Sequence, residues 1–140
     1  MGKKTIKKAI KRKFPMVGNN DSLAVAMKKM TENNVSVLAV KVGEELIGLV
    51  TISDIMFSLA NGDNFETTKI SSFMTKCEFD TSRETRNPCI QLDENEDPLA
   101  AAKIMHEAGV NHLLVSGEAG RPAGIVSSLE IVKLFGKEIQ

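Results

Sequence analysis

Apolar residues recur along this chain with two different periods, which predict helices in some stretches and strands in others. Residues 23–30 carry apolar side chains at the three- and four-residue spacing of an amphipathic helix. Residues 35–42 and 46–52 are rich in β-branched residues and flank a Gly-Glu-Glu turn, the pattern of a hairpin. With a short extended piece at residues 16–17 and a second helix at 53–62, the first half predicts strand, helix, strand, strand, helix.

The second half repeats the first. Residues 26–59 can be laid over residues 101–135 with one inserted residue. The overlay places the run GLVTISD, Gly48 to Asp54, on the run GIVSSLE, Gly124 to Glu130. Because a unit too small to bury its own apolar face commonly packs against its twin, two copies predict one compact domain.

These patterns divide the chain into four segments. We expect a basic N-terminal arm or helix at residues 1–14, a first repeat at 15–74, a polar linker at 75–88 and a second repeat at 89–140. In the arm, Ile6, Ile10 and Phe14 recur at steps of four among lysines. This spacing predicts a short docking helix with a solvated basic face that ends before Pro15.

Composition and charge narrow the classes of function. The chain of 140 residues has six Phe and no Trp or Tyr, so it lacks most of the rings on which single-stranded nucleic acid would stack. Seven of the 18 basic residues stand in the arm, which leaves 11 to balance 18 acidic residues elsewhere. An arm without aromatic residues on an acidic body favours a docking role over nucleic-acid binding. No uninterrupted apolar run is long enough to span a bilayer, so no membrane partner is expected.

Cysteine usage indicates the redox compartment. Cys77 and Cys89 are the two cysteines, and no signal peptide precedes them. We expect a cytoplasmic protein in which both are free thiols, although the two could pair.

The repeated heptapeptide places a glycine, a hydroxyl and an acid where a strand runs into a helix. The first N–H groups of a helix lack partners within it and carry partial positive charge, so an anion is favoured there. Thr51 and Ser127 can add a hydroxyl donor to that anion, whereas Asp54 and Glu130 suit a pair of neighbouring hydroxyls such as a ribose diol. Phosphate and ribose together describe a nucleotide. The alternative is that these residues only begin the helices and complement their dipoles.

The heptapeptide resembles the nucleotide-binding signature of the CBS domain, and the pair of copies resembles a Bateman module. The resemblance covers about residues 15 to 136. It implies an α/β fold of tandem βαββα repeats packed about a pseudo-twofold axis, with two clefts between them, and a module that commonly forms a homodimer. Carried onto this chain, it implies a ligand-binding set made of two hydroxyls, two acids and two strand edges, namely Thr51, Ser127, Asp54, Glu130, Val35, Val37, Val110 and His112.

The resemblance favours a regulatory sensor that binds an adenine nucleotide (AMP, ADP or ATP), requires no cofactor and acts through an unknown effector protein. The alternatives are a ligand-free scaffold that acts through protein contacts and a sensor of S-adenosylmethionine. An enzyme is not expected, because the sequence has no Cys/His nucleophile pair, no Walker-type loop and no metal-ligand spacing for His106 and His112. Glu130 departs from the usual aspartate, which weakens the second site.

Overall fold

The structure is a computed structural model that describes residues 4–43, 45–76, 91–117 and 122–139. It divides into two units, which are described separately below. The first unit is Pro15–Cys89, and the second joins Met1–Phe14 to Ile90–Gln140. Cys77 and Cys89 lie outside the described residues, so the prediction of free thiols stays a prediction.

The first unit has the predicted order of elements, followed by a short addition. Its sheet has the order β1-β2-β3-β4, in which β1 pairs parallel with β2 and the other pairs are antiparallel. The elements are β1 Met16–Gly18, α1 Leu23–Asn33, β2 Val37–Val42, β3 Glu45–Thr51, α2 Ile52–Ala60, a 3₁₀ helix Ile70–Ser72 and β4 Thr75–Lys76.

The second unit repeats this plan, with its 3₁₀ helix supplied by the start of the chain. Its strands have the order β5-β6-β7, in which β5 pairs parallel with β6, and β6 pairs antiparallel with β7. The elements are a 3₁₀ helix Ile6–Ala9, β5 Gln91–Asp93, α3 Pro98–Ala108, β6 His112–Ser116, β7 Pro122–Ser127 and α4 Ser128–Gly136. The predicted α/β class with two βαββα repeats is confirmed.

Each unit has its own hydrophobic core between the sheet and the helices. In the first unit Leu23, Ala26 and Met30 of α1 pack against β-branched and leucine side chains of the sheet. In the second, Ala101 and Met105 of α3 occupy the corresponding places. Burying one such methionine contributes about 1.5–3 kcal/mol, so the methionines hold the helices to the sheets.

Short polar signals set where the helices begin and end. The Ser22 hydroxyl accepts from the Val25 amide at the start of α1, and the Asp97 carboxylate accepts from the Ala100 amide at the start of α3. Both helices end in a left-handed residue, Asn34 with φ 51° and Gly109 with φ 70°. Within the described part of the chain, no helix is both long and apolar enough to cross a membrane.

The N-terminal arm differs from the predicted docking helix. It forms one 3₁₀ helix, Ile6–Ala9, and then turns extended at Ile10. Lys11 pairs in an antiparallel bridge with Ile125 of β7, with mutual backbone hydrogen bonds of 2.8 and 3.0 Å. The helix stops because an extended backbone is required for this bridge, an interaction between residues far apart that the step-of-four spacing does not encode.

The arm is the counterpart of residues 70–76 in the first unit. The Ile6 amide donates to the Glu96 carbonyl, and the Ile70 amide donates to the Asp21 carbonyl. Both isoleucines are fully buried in their own cores. Each unit is therefore completed by an added segment, which consists of a 3₁₀ helix and a short extended stretch beside the last long strand. In the first unit the added segment is residues 70–76, which follow the repeat. In the second unit it is residues 6–11, at the start of the chain.

Candidate functional site

The first candidate site is the junction of β3 and α2, where Thr51 begins the helix. Its hydroxyl accepts from the Asp54 amide at 3.3 Å, and its own amide donates to Asp54 Oδ2 at 2.9 Å. These reciprocal bonds form a capping box, so the sequence Thr-x-x-Asp directs its own helix start. The Thr51 hydroxyl also donates to Asp54 Oδ2 at 3.2 Å. Its proton is therefore directed at the carboxylate.

Asp54 is held from a second direction by Thr75 on β4. The Thr75 hydroxyl lies 3.2 Å from Asp54 Oδ1 and 3.2 Å from Oδ2. Among the described residues, Oδ2 faces three donor groups and Oδ1 only this one. Because a carboxylate oxygen can accept more than one hydrogen bond, Oδ1 keeps capacity for a ligand hydroxyl.

The environment of Asp54 acts on its charge in two opposing ways. Burial raises the pKa of this half-buried carboxyl, and the hydrogen bonds from Thr51 and Thr75 lower it. Burial is the larger effect, so the pKa is raised above its ordinary value. The ionised carboxylate is thus costly for the fold, which is common at sites shaped for ligands.

The second candidate site is the junction of β7 and α4, and its acid is arranged differently. The Ser127 hydroxyl accepts from the Glu130 amide at 3.2 Å. The Glu130 carboxylate lies 3.5 Å from the Lys133 ammonium, one turn along α4. Within the described residues this lysine is its only ion-pair partner, and the reciprocal half of a capping box is missing. Glu130, which is longer by one methylene than Asp54, therefore contacts a lysine of its own helix and not its N-cap.

The strand-edge residues of the predicted set fall into two groups. Val37 pairs with Thr51 across the β2–β3 ladder, and His112 pairs with Ser127 across the β6–β7 ladder, so both stand opposite the helix N-caps. Val35 and Val110 precede these strands and pack against the cores of their own units. Burial lowers the pKa of His112, so its imidazole is neutral at neutral pH.

Positions 48 and 124 must be glycine because the backbone of an added segment lies where a side chain would stand. A Cβ on Gly48 would overlap the carbonyl oxygen of Thr75. A Cβ on Gly124 would lie 2.5 Å from both the Lys11 carbonyl oxygen and the Ile10 Cγ2. These glycines of the motif therefore admit a neighbouring backbone. They place Thr75 and Lys11 at matching positions, close to the two junctions.

The helix starts are less open to an anion than the sequence suggests. In α2 the Ile52 amide donates to the Ser36 carbonyl at 3.2 Å, and the Asp54 amide is capped by Thr51. In α4 the Ser128 amide donates to the Asn111 carbonyl at 2.9 Å. Asp54 therefore offers an ordered acceptor at the first junction, whereas the Ser127 hydroxyl, which accepts one bond, can donate its proton to an anion at the second.

Thr75 is the residue of the first junction that sequence reasoning missed. It was assigned to the polar linker at 75–88, which has no apolar period. A signal was nevertheless present, because Ile6, Ile10 and Lys11 are spaced like Ile70, Met74 and Thr75. Extending the internal overlay to this segment would have aligned Thr75 with Lys11 and included residues 70–75 in the first repeat.

Comparison with known families gives two matches within this chain. The CBS domain family model matches residues 6–61 and again residues 81–137. An uncharacterized 33.4 kDa protein in a ribosomal RNA operon of Thermofilum pendens is 28% identical over 112 residues, which cover 80% of this chain and 37% of that protein. An uncharacterized protein of Methanocaldococcus jannaschii is 28% identical over 89 residues, 64% of this chain and 18% of that protein. The chain thus spans well under half the length of these relatives.

Solved structures share the fold. A protein with CBS domains from Burkholderia ambifaria has a TM-score of 0.81 and 23% identity, with 96% of this chain and 93% of that chain covered. The CBS domain pair of protein MJ0100, solved with 5′-methylthioadenosine and S-adenosyl-L-methionine, has a TM-score of 0.79 and 23% identity over 98% and 99% of the two chains. A hexameric CBS-CP12 protein from bloom-forming cyanobacteria has a TM-score of 0.76 and 19% identity over 92% and 66%.

Proposed function

The chain belongs to the CBS domain family, and from this membership and its two junctions we propose that it is a sensor that binds an adenine nucleotide. A CBS domain pair is a regulatory module. The finer assignment, to AMP, ADP or ATP, rests on the chemistry of the described side chains. The observation that carries the binding of a ribonucleoside is the ordered Asp54 carboxylate, whose Oδ1 keeps acceptor capacity beside a helix start, and the preference for a phosphate rests on the Ser127 hydroxyl at the second helix start.

Each junction, taken by itself, offers a group that suits one part of a nucleotide. Asp54 is an acceptor for a pair of ribose hydroxyls, and charged hydrogen bonds of this kind contribute about 1.5–3 kcal/mol. At the second junction Ser127 offers a hydroxyl donor to a phosphate oxygen, and His112 stands opposite it on β6. The remaining members of the proposed set are Thr51, Glu130 and the strand-edge valines.

A second candidate is a sensor of S-adenosylmethionine. It is favoured by MJ0100, the similar CBS domain pair solved with that compound and 5′-methylthioadenosine. Those compounds also carry a ribose diol, so Asp54 suits them equally. The phosphate decides between the candidates, because the sulfonium gains nothing from a hydroxyl donor at the positive end of a helix dipole.

A ligand-free scaffold is the third candidate, and the closed capping box at Thr51 favours it. In this box the Thr51 hydroxyl accepts a hydrogen bond from the Asp54 amide, and the Asp54 carboxylate accepts one from the Thr51 amide. Such a module would act only through protein contacts. The open acceptor capacity of Asp54 Oδ1 is the reason that we prefer the sensor.

Calorimetry against AMP, ADP, ATP and S-adenosylmethionine tests the proposal. We expect the purified protein to bind an adenine nucleotide, and Asp54→Ala to weaken that binding about tenfold to a hundredfold. Glu130→Ala should weaken it less, because that acid lacks the hydrogen bonds that hold Asp54 and contacts Lys133 instead. Glu66→Ala, which changes an exposed acid of the first unit, is the matched control. Tighter binding of S-adenosylmethionine than of AMP would favour the second candidate, and binding of none of them would favour the scaffold.

We also propose that the module works in the cytoplasm as a homodimer that acts on an effector protein. Apolar side chains on α2 and α4 support self-association, because Met56 and Phe57 are 58% and 62% exposed, and Leu129 and Val132 are 59% and 63% exposed. A single copy leaves these faces in water. Sedimentation showing only monomer at micromolar concentration would exclude the dimer.

A further inference from the structure

Thr75 contacts the proposed ligand-binding acid from a different part of the sheet. It lies on β4, 21 residues after Asp54, and pairs with Leu49 of β3. Its position depends on Gly48, because any larger residue there would overlap the Thr75 backbone. The hydrogen bond therefore joins the last strand of the unit to the first turn of α2.

The geometry of this contact fixes the orientation of the carboxylate. The capping box holds Asp54 through Oδ2 alone, since both Thr51 donors reach that oxygen. The Thr75 hydroxyl lies at 3.2 Å from each oxygen, so it faces the carboxylate near its midline. Without this donor, no described residue would hold Oδ1.

We propose that Thr75 is a positioning residue, which holds the Asp54 carboxylate so that Oδ1 is presented to the vicinal hydroxyls of the ligand's ribose. This inference rests on the proposed function and names the part of the ligand that is read at this junction. Discrimination between a ribose and a sugar without the diol therefore depends on a hydroxyl that need not touch the ligand.

Among its described residues, the second unit has no equivalent of this arrangement. Lys11 occupies the position of Thr75, because its carbonyl lies against Gly124 as that of Thr75 lies against Gly48. Lysine has no hydroxyl, and within the described residues Glu130 bonds to Lys133 instead. Reading of the diol is accordingly assigned to the first unit.

The test compares Thr75→Val, which removes the hydroxyl at nearly constant shape, with Thr75→Ser, which keeps it. Calorimetry measures the affinity of each protein for AMP and for 2′,3′-dideoxy-AMP. We expect Thr75→Val to lower AMP affinity about tenfold and to leave the dideoxy compound nearly unchanged, whereas Thr75→Ser keeps the preference of the wild type. Equal losses for both compounds would show a merely structural role and overturn the proposal.

A second measurement needs no ligand and separates this proposal from the proposed function. The ¹³Cγ signal of Asp54 is titrated by NMR in the same proteins. Because the Thr75 hydrogen bond lowers the pKa of Asp54, that pKa should rise in Thr75→Val and return in Thr75→Ser. Thr67→Val, at an exposed threonine of the same unit, should leave it unchanged. If the wild type binds no nucleotide, the proposed function fails, and an unchanged titration in Thr75→Val would overturn the positioning role as well.

Discussion

The two strand-to-helix junctions contain similar heptapeptides, but the acidic residue of each heptapeptide contacts different partners. At the first, Asp54 accepts hydrogen bonds from Thr51 and Thr75 and is half-buried. At the second, Glu130 is also half-buried but lies beside Lys133, one turn along its own helix, while Ser127 alone caps the helix. The repeated motif therefore fixes the helix start in both units, while the residues that contact the acid differ between them.

A residue outside the motif comes from the segment that completes each sheet. Thr75 and Lys11 follow the two 3₁₀ helices and lie against Gly48 and Gly124. One supplies a short hydroxyl that reaches the acid, and the other supplies a long cation. Two copies of one motif thus hold their acids differently, and the chain delivers a different residue beside each.

The largest expected effect comes from filling the space at the motif glycines. Gly48→Ala would place a Cβ on the Thr75 carbonyl oxygen, and Gly124→Ala would place one on the Lys11 carbonyl oxygen. Both obstacles are backbone, so a strand must move, and we expect each variant to lose about 1–3 kcal/mol of unfolding free energy or more. Chemical denaturation measures this loss.

Gly136→Ala is the control for these two variants. A Cβ built at Gly136, at the end of α4, meets no heavy atom within 4 Å apart from its chain neighbours and the backbone of its own helix. Its stability should equal or exceed that of the wild type. Hydrogen exchange distinguishes the two test variants, since Gly124→Ala should expose the Lys11 amide and Gly48→Ala should not. If Gly48→Ala and Gly124→Ala were both as stable as the wild type, the backbone of the added segments would not be in close contact with the two glycines.

Much of the fold was predictable from local sequence signals. The apolar spacing of α1 and the hairpin formed by residues 35–42 and 46–52 depend on neighbouring residues, and both predictions are confirmed. The arm was predicted wrongly as a longer helix. Its bridge to Ile125 joins residues more than a hundred positions apart, and such pairing overrides a helical period.

The candidate site was predictable in part, for a related reason. Thr51, Asp54 and Ser127 belong to one local motif, so their places at the helix starts followed from the sequence. Thr75 reaches Asp54 through the pairing of β4 with β3, which no short-range spacing encodes. The hydrogen bond from the Thr51 hydroxyl to Asp54 was also not foreseen, because the sequence shows two polar groups and not the proton between them.

A medium effect is expected when the first junction is transferred to the second. The double variant Lys11→Thr with Glu130→Asp supplies both the hydroxyl and the shorter acid. A closed capping box and one added hydrogen bond should raise the unfolding free energy by about 1 kcal/mol, more than the sum of the two single variants. Thermal and chemical denaturation of all four proteins measure the coupling.

Lys13→Thr with Glu130→Asp is the matched control, because Lys13 is an exposed lysine of the same arm. It removes the same charge without placing a hydroxyl beside Gly124. Equal stability of the two double variants would mean that the position of Lys11 does not correspond to that of Thr75, and the comparison of the junctions would have to be revised.

The smallest expected effect concerns the charge of Asp54 and its dependence on pH. Burial raises the pKa of Asp54 above its ordinary value of 3.8. As pH rises past that value the unfolded chain loses the proton first, so the folded state binds more protons and its stability falls until the folded pKa is passed. Asp54→Asn cannot ionise and lacks this loss. The free energy of unfolding of the wild type minus that of Asp54→Asn should therefore become more negative between pH 3 and pH 7.

Glu130→Gln is the control, measured in parallel, because it removes the acid of the other junction. A difference that stays constant or becomes more positive with pH would mean that the Thr51 and Thr75 hydrogen bonds outweigh burial, and that the first junction holds its acid without strain.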